Sequence, residues 1–319
     1  MMDVVRIDPA GPPRWPRACV AVGNFDGVHR GHQALVARAV AAAAAERGTA
    51  VVLTFDPHPA RVLASRPEPP ALMTLAQKAQ ALGRLGVHAM AVLPFTAEVA
   101  AAPPEEFAAG ILHRALGAVE VVVGDNFRFG RGRAGDAAAL REEGKALGFG
   151  VVEVPPVLVG GERVSSSRIR EALARGDARG AAELLGRPHC LEGRIVSGDG
   201  RGRTIGVPTA NLEASGMLPA LGVYAAWAWP EGAPQAVRAV VNVGRRPTFG
   251  GGTVSVEAHL LDFAGDLYGT TMSLGFVAQL REEKAFSGPD ALVAQIREDT
   301  RAARGVLAGP PPASPWDGL

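Results

Sequence analysis

"VGNFDGVHRGHQ", residues 22–33, follows the apolar run "ACVAV" (18–22) and leads into the helix-patterned "HQALVARAVAAAAAERG" (32–48). A buried strand, a turn carrying Gly23, Gly27 and Gly31, and then a helix is how an open α/β sheet forms its ligand crevice, beyond the carboxyl ends of its strands. Glycine lets backbone approach a ligand closely, and the first N–H groups of a helix favour an anion. His29 and His32, three apart at the helix start, can face the same way. On residues alone three readings of the pair stay open. Two imidazoles donating to triphosphate oxygens fit a helix N-terminus. A zinc site needs further ligands, for which His58 or Asp56 are candidates. An isolated His-x-x-His is most often a capping or surface pair, but the glycines and the strand-to-helix setting argue for a ligand.

Outward from this turn, from Ala18 to about Leu185, the β-type runs "ACVAV", "AVVLTF", "HAMAVL", "VEVVVG" and "GVVEV" alternate with helical patterns such as "TLAQKAQALGRLG". Such alternation predicts a parallel sheet with helices on both faces. After "RPHC" the texture changes to glycine-punctuated runs, including "LEGRIVSG", "GVYAAWAW", "AVRAVVNVG", "TVSVEAHLLDF" and "TMSLGFVAQL", and ends in one helical pattern, "GPDALVAQIREDTRAARGVL". Several antiparallel strands and a terminal helix predict a small closed barrel. The boundary is expected near Gly186 to Pro188, giving domains over 1–186 and 187–308, and the proline-rich tail 309–319 is expected to be disordered.

The chain has 319 residues, enough for two cores, with 33 lysines and arginines against 32 acidic residues and a net charge of +1. No broad field draws it to nucleic acid or an anionic membrane, so phosphate recognition is expected to be local. Two cysteines, Cys19 and Cys190, are too few for a disulfide framework and are read as small core residues. The N-terminus shows no basic segment followed by an apolar stretch, and the alanine-rich 37–45 is too short and weakly apolar to span a bilayer; a cytoplasmic protein is expected.

Other stretches carry chemistry-bearing side chains. "SSSRIREAL" (165–173) opens a helical segment whose serines can cap free N–H groups or, with Arg163, Arg168 and Arg170, hold a polyphosphate. "TFDPHP" (54–59) is a stiff loop past a strand, and "VVVGDNFRFGRGRAGD" (121–136) offers Asn126 for a ring edge and Phe127 and Phe129 as aromatic faces or core. The glycines of "GDGRGRTIGVPTANL" (198–212) match no dinucleotide fingerprint, and the chain has no G-x-x-x-x-G-K-[ST]. In "VEAHLLDF" Glu257 and His259 share one strand face. Arg281 can meet a ligand or pair with Glu282 or Glu283.

"GNFDGVHRGHQ", "TFDPHP", "VVVGDNFRFGRGRAGD" and "SSSRIREAL", followed by "GRTIGVPTANL", resemble the bifunctional riboflavin kinase/FAD synthetase family of bacteria, in the right order over about residues 18–305. The resemblance implies an α/β Rossmann-like nucleotidyltransferase domain that makes FAD from FMN and ATP, followed by a small antiparallel β-barrel riboflavin kinase domain with a C-terminal helix that makes FMN from riboflavin and ATP with Mg²⁺. Carried over, His29 and His32 stabilise charge at the α-phosphate; Gly23, Phe25, Asp26, Gly31, Arg163, Ser166 and Ser167 contact ATP; and Pro57, His58, Asn126 and Phe129 hold FMN.

In the kinase module the resemblance assigns Gly202, Arg203, Gly206 and Pro208 to ATP, Thr209 and Asn211 to the metal, and Glu257 to the role of general base, with Arg281 toward flavin. Family members usually carry threonine at 167 and phenylalanine at 207, where this chain has serine and valine; the hydroxyl and the magnesium ligands are kept. Flavins are thus expected as substrates and products. The partners expected are small molecules, with neither nucleic acid nor membrane, and self-association is left open.

Overall fold

The computed structural model describes residues 2–8, 11, 15–63, 67–198, 206–245 and 254–319. They form two compact units: residues 1–70, 75–164 and 319, and residues 71–74 with 165–318.

The first unit is built on a parallel sheet. Its elements are β1 (Asp3–Arg6), β2 (Ala18–Val22), α1 (Arg30–Glu46), β3 (Thr49–Phe55), α2 (Pro59–Leu63), α3 (Leu75–Arg84), β4 (Ala89–Leu93), α4 (Ala97–Ala101), α5 (Pro104–Glu106), a π-helical stretch (Phe107–Ala115), β5 (Ala118–Gly124), α6 (Ala137–Leu147), β6 (Gly150–Val154) and a short hairpin of β7 (Leu158–Val159) and β8 (Glu162–Arg163). The sheet order is β1-β4-β3-β2-β5-β6, with every pairing parallel.

Because β2 lies at the centre with helices on both faces, all five of its residues are buried, which explains an unbroken apolar run in place of alternation. On one face Val20, Val22, Val51 and Leu53 pack with Leu112 and Leu140. On the other, Cys19 and Ala50 meet Ala42 and Ala43 of α1; those alanines let the helix lie close to the strands. Both cysteines are free and buried, as expected. Strand order reverses at β2, which has β3 on one side and β5 on the other, so a crevice is expected past the carboxyl ends of β2 and β5.

The second unit begins with α7 (Ser166–Ala174) and α8 (Ala178–Leu185). It continues with β9 (His189–Val196), β10 (Ala210–Ala214), β11 (Gly222–Pro230), β12 (Val237–Arg245), β13 (Val254–Leu260), β14 (Thr271–Arg281) and α9 (Pro289–Val306). The strands close an antiparallel barrel in the order β10-β13-β12-β11-β14-β9. Alternate residues fill it: Leu212, Tyr224, Val241, Val256, Ala258, Leu274 and Phe276 point inward. Outside, Val223, Ala225, Trp227 and Val240 pack with Ala303 and Leu307 around α9. β11 therefore lies between barrel interior and helix, which accounts for its almost wholly buried "GVYAAWAWP".

Two observations bear on the expected domain limits. The compact units divide at Val164/Ser165 rather than near Gly186, because α7 and α8 pack with the barrel: Ala178 joins the barrel core and the Ala220 N–H donates to the Leu173 carbonyl at 2.8 Å. The tail 309–319 is not the free segment its composition implies. Trp316 is buried with the Arg187 guanidinium 5.2 Å from its ring, and the Trp229 Nε1–H donates to the Pro312 carbonyl at 3.2 Å. Proline richness removes backbone donors but not the apolar area of one tryptophan. Trp316→Ala is expected to lower stability by about 3 kcal/mol, the low side for losing an aromatic side chain, read as a drop in the urea midpoint. An unchanged midpoint would show that the tail contributes nothing.

Candidate functional site

The first candidate site lies at the reversal point of the parallel sheet. Leaving β2, the chain turns through left-handed backbone at Phe25 (φ 49°), Gly27 (φ 87°) and Val28 (φ 42°) before α1 starts. For Phe25 and the β-branched Val28 this conformation is costly. Both side chains are completely buried and the Val28 N–H donates to the Phe25 carbonyl at 3.2 Å, so packing holds the turn closed.

His29 is the N-cap of α1, its Nδ1 accepting from the His32 N–H at 3.3 Å. A nitrogen that accepts cannot also carry the proton, so the hydrogen of the His29 ring sits on Nε2. The two imidazoles stack, with centroids 3.6 Å apart and planes 14° from parallel, and Phe25 lies 5.1 Å from the His32 ring. Gly31 has a local reason: a Cβ there would stand 3.2 Å from the His29 ring. His32 keeps some surface, but its Nδ1 is buried with no hydrogen-bond partner among the described residues. Burial first, then His29 and Lys78, hold its pKa well below the usual histidine value. Asp26, in the same turn, is buried.

Two neighbouring loops carry the residues expected to meet flavin. In the loop after β3, His58 Nδ1 accepts from the Ala60 N–H at 3.1 Å, at the start of α2, and Nε2 lies 3.3 Å from the Asn24 amide. After β5, Asn126 is exposed and Phe127 half-buried, whereas Phe129 is drawn into the core, 5.4 Å from Phe107 and from Phe127. Gly135 leaves the room for its ring. Arg163, on β8, grips Asp125 with both terminal nitrogens, the Nη1–Oδ1 contact being 2.6 Å; the guanidinium lowers the Asp125 pKa below its ordinary value. Ser166 and Ser167 belong to the second unit, where Ser165 caps α7 by accepting from the Arg168 N–H.

The sequence reading missed Asp125 and Lys78. Asp125 stood directly after a strand end and was findable there; Lys78 reads as the polar side of an ordinary amphipathic helix and gave no signal. For zinc, the described residues contain no group of three or more His, Cys, Asp or Glu able to hold a metal ion, so the histidine pair has no third ligand among them.

The second candidate site lies on the outer face of the barrel. Register places Asn211 of β10, Glu257 of β13 and Asn242 of β12 in one row, all facing away from the barrel core. Glu257 is half-buried and accepts from Ser255 Oγ at 3.4 Å; Asn211 is nine-tenths buried. His259, on the same face, binds the Pro208 carbonyl through Nδ1 at 2.9 Å and so ties the segment before Thr209 to β13. Gly206 takes φ 74°, and a Cβ on Gly198 would collide with the Asn211 amide. Beside Thr209 opens a small cleft of about 90 Å³ lined also by Phe263, Asp266 and Tyr268.

Gly202 and Arg203 lie outside the described residues. Arg281 pairs with neither adjacent glutamate side chain: its guanidinium binds both oxygens of Asp299 on α9 at 3.0–3.1 Å and the Glu282 carbonyl at 3.0 Å, fixing the C-terminal helix to the barrel.

Comparison with known proteins follows the same division of the chain. The FAD synthetase family model matches residues 12–168 and the riboflavin kinase model residues 185–307. Relatives called bifunctional riboflavin kinase/FMN adenylyltransferase include those of Pseudomonas fluorescens, 41% identical over 92% of this chain and 94% of the relative, and Escherichia coli K12, 38% identical over 90% and 92%. That of Bacillus subtilis is 35% identical over 90% and 92%. A crystal structure described as a macrolide-efflux protein from Streptococcus pneumoniae superposes with a TM-score of 0.86 at 33% identity, covering 95% of this chain and 99% of that one. Among the described residues of the present chain, no helix is long and apolar enough to cross a membrane.

Buried, uncharged histidines make stability depend on pH. The His189 Nε2–H donates to the Met217 carbonyl at 2.8 Å, and burial lowers its pKa to about 4; His32 is lowered as well. Above the unfolded value of about 6.5 both states are neutral and nothing is at stake. Below it the unfolded chain takes up protons that the folded one refuses, so stability falls as pH drops from about 6.5 toward 4. His189 alone is expected to contribute a loss of about 3 kcal/mol across that window, and His189→Gln should flatten the slope in urea unfolding at pH 7 and pH 5.

Proposed function

The chain belongs to the bifunctional riboflavin kinase/FMN adenylyltransferase family, and from that premise we propose which of its residues carry each reaction. It phosphorylates riboflavin with ATP to FMN in its C-terminal part and adenylylates FMN with a second ATP to FAD, releasing pyrophosphate, in its N-terminal part. Both are transfers of phosphorus-containing groups, and flavins are substrates and products. We assign residues 1–186 to the adenylyltransferase and 187–308 to the kinase, in keeping with the family-model limits of 12–168 and 185–307. The site of action is proposed to be the cytoplasm. With a net charge of +1, neither nucleic acid nor membrane is proposed as a partner.

The observation that carries the adenylyltransferase reading is the stacked His29/His32 pair at the start of α1, at the reversal point of the sheet. The FMN phosphate attacks the α-phosphate of ATP in line, and pyrophosphate leaves. The His29 Nε2–H and an N–H of His32 donate to the oxygens on which charge grows. Capping fixes the first ring and burial keeps the second neutral, so both are set as donors before substrate arrives. Gly23, Phe25, Asp26 and Gly31 shape this turn, and Arg163, Ser166 and Ser167 are assigned to the triphosphate. Pro57, His58 and Asn126 are assigned to FMN, with Phe129 supporting its loop from the core.

In the kinase, Glu257 takes the proton of the riboflavin 5′-hydroxyl as that oxygen attacks the γ-phosphate of ATP. Gly202, Arg203, Gly206 and Pro208 are assigned to the nucleotide, and the cleft beside Thr209 supports that placement. Magnesium fits the donors here: a hydroxyl on Thr209 and an amide oxygen on Asn211 are hard neutral ligands, and Gly198, lacking a Cβ, leaves room for the Asn211 amide. Held by these residues and ATP, the ion would neutralise phosphate charge. Arg281 is proposed to serve flavin through its grip on Asp299.

A chromatographic time course of riboflavin, FMN and FAD tests the division. H29A/H32A is expected to stop at FMN, with FAD formation down at least about a hundredfold. E257A is expected to leave riboflavin unconsumed while still converting supplied FMN. If each variant lost both steps, the assignment of two independent sites would fail. For the metal, N211A is expected to raise the Mg²⁺ concentration needed for half-maximal kinase activity at fixed ATP, with FAD formation from FMN unchanged.

A further inference from the structure

Lys78 is the one lysine that the family resemblance assigned no role and that the fold nonetheless buries, at 8% exposure. It sits on α3, and its Nζ donates to the Asn24 carbonyl at 2.7 Å and to Thr54 Oγ1 at 3.2 Å; Thr54, completely buried at the end of β3, donates to the same carbonyl at 3.1 Å. A buried ammonium costs free energy that hydrogen bonds must offset, and an amphipathic helix could carry an apolar residue here at no such cost.

What the cation touches suggests its use. Asn24 is the residue between Gly23 and the left-handed Phe25, so its carbonyl belongs to the turn that presents the histidine pair; its side-chain amide meets His58 of the flavin-side loop at 3.3 Å. The charged groups facing Lys78 are Asp26 in the turn and Asp56 after β3, the latter paired with Arg6 at 2.5 Å, together with His32.

We propose that Lys78 is a positioning residue of the adenylyl-transfer site: its ammonium pins the Asn24 carbonyl, holding the nucleotide-side turn and the flavin-side loop in one arrangement, and places a fixed positive charge behind the histidine pair. The inference rests on reading the His29/His32 turn as that site. Two consequences follow from electrostatics. Lys78 disfavours an imidazolium at His32, so removing it raises the His32 titration midpoint. Burial lowers the Lys78 pKa to about 8 against the opposing pull of Asp26 and Asp56. As pH rises through about 8 the ammonium is lost, and with it the pin and the charge, so FAD formation falls on the alkaline side.

The test uses the full-length chain with FMN, ATP and Mg²⁺, and takes riboflavin phosphorylation by the same preparation as the control for folding. Lys78→Met is expected to lower kcat for FAD formation at least about tenfold, with riboflavin phosphorylation unchanged. Its His32 ring resonance, followed by NMR and assigned with H32Q, is expected to titrate at higher pH than in the wild type. Lys78→Arg keeps the charge: it is expected to recover part of the rate, to leave the His32 midpoint near the wild-type value and to abolish the alkaline fall near pH 8.

Wild-type FAD formation by Lys78→Met overturns the proposal. So does a slowed Lys78→Met whose His32 midpoint has not moved, because loss of packing alone does that. Wild-type FAD formation by H29A/H32A is a different result and overturns the underlying reading of the site.

Discussion

The proposed adenylyltransferase site depends on one backbone constraint: the chain must leave the carboxyl end of a fully buried central strand and enter a helix start within a single turn. That turn takes left-handed backbone at two residues with side chains, Phe25 and Val28. Phe25 and Val28 bury their side chains completely, and the strain is offset by core packing. The same turn sets His29 as helix cap, and the cap sets which of its nitrogens can donate. The geometry proposed for catalysis thus follows from how a strand is joined to a helix, and the rest of the unit keeps that junction from relaxing.

The barrel solves its problem differently. Its interior is apolar, and the proposed donor set lies on the outside, where a strand face offers every second residue. Closure brings β10, β13 and β12 side by side, and register aligns Asn211, Glu257 and Asn242 across them. On another part of the same outer surface α9 covers β11, held by the Arg281–Asp299 fork. The polar row and the covered surface divide the barrel exterior between a proposed reaction site and a packed face.

How far the chain could be read in advance depended on the range of the interactions concerned. The parallel sheet was legible because a strand buried on both faces must be apolar throughout, as "ACVAV" is; the barrel was legible in runs broken by glycine. The histidine pair was legible because its spacing and its place between strand and helix are local. The limits of the reading have the same origin. Phe129 offered an aromatic face or a core residue, and only the positions of Phe107, Phe127 and Gly135 decide for the core. The break seen at Gly186 is real as a helix end, with Gly186 in the left-handed region at φ 81°, yet Ala178 packs into the barrel before it.

By itself the sequence determined the two fold classes and the His29/His32 turn, because strand, helix and turn chemistry are written in neighbouring residues; the roles given to Thr209, Asn211 and Glu257 came from the family resemblance. Tertiary structure alone decided that Asp125 receives Arg163, that Asp299 receives Arg281, that Trp316 packs against Arg187, and that Lys78 is buried beneath the histidine turn. Each of these joins residues far apart in the chain. A charged side chain in a polar pattern looks the same whether it faces water or a partner, and its burial exists only once the elements around it have packed.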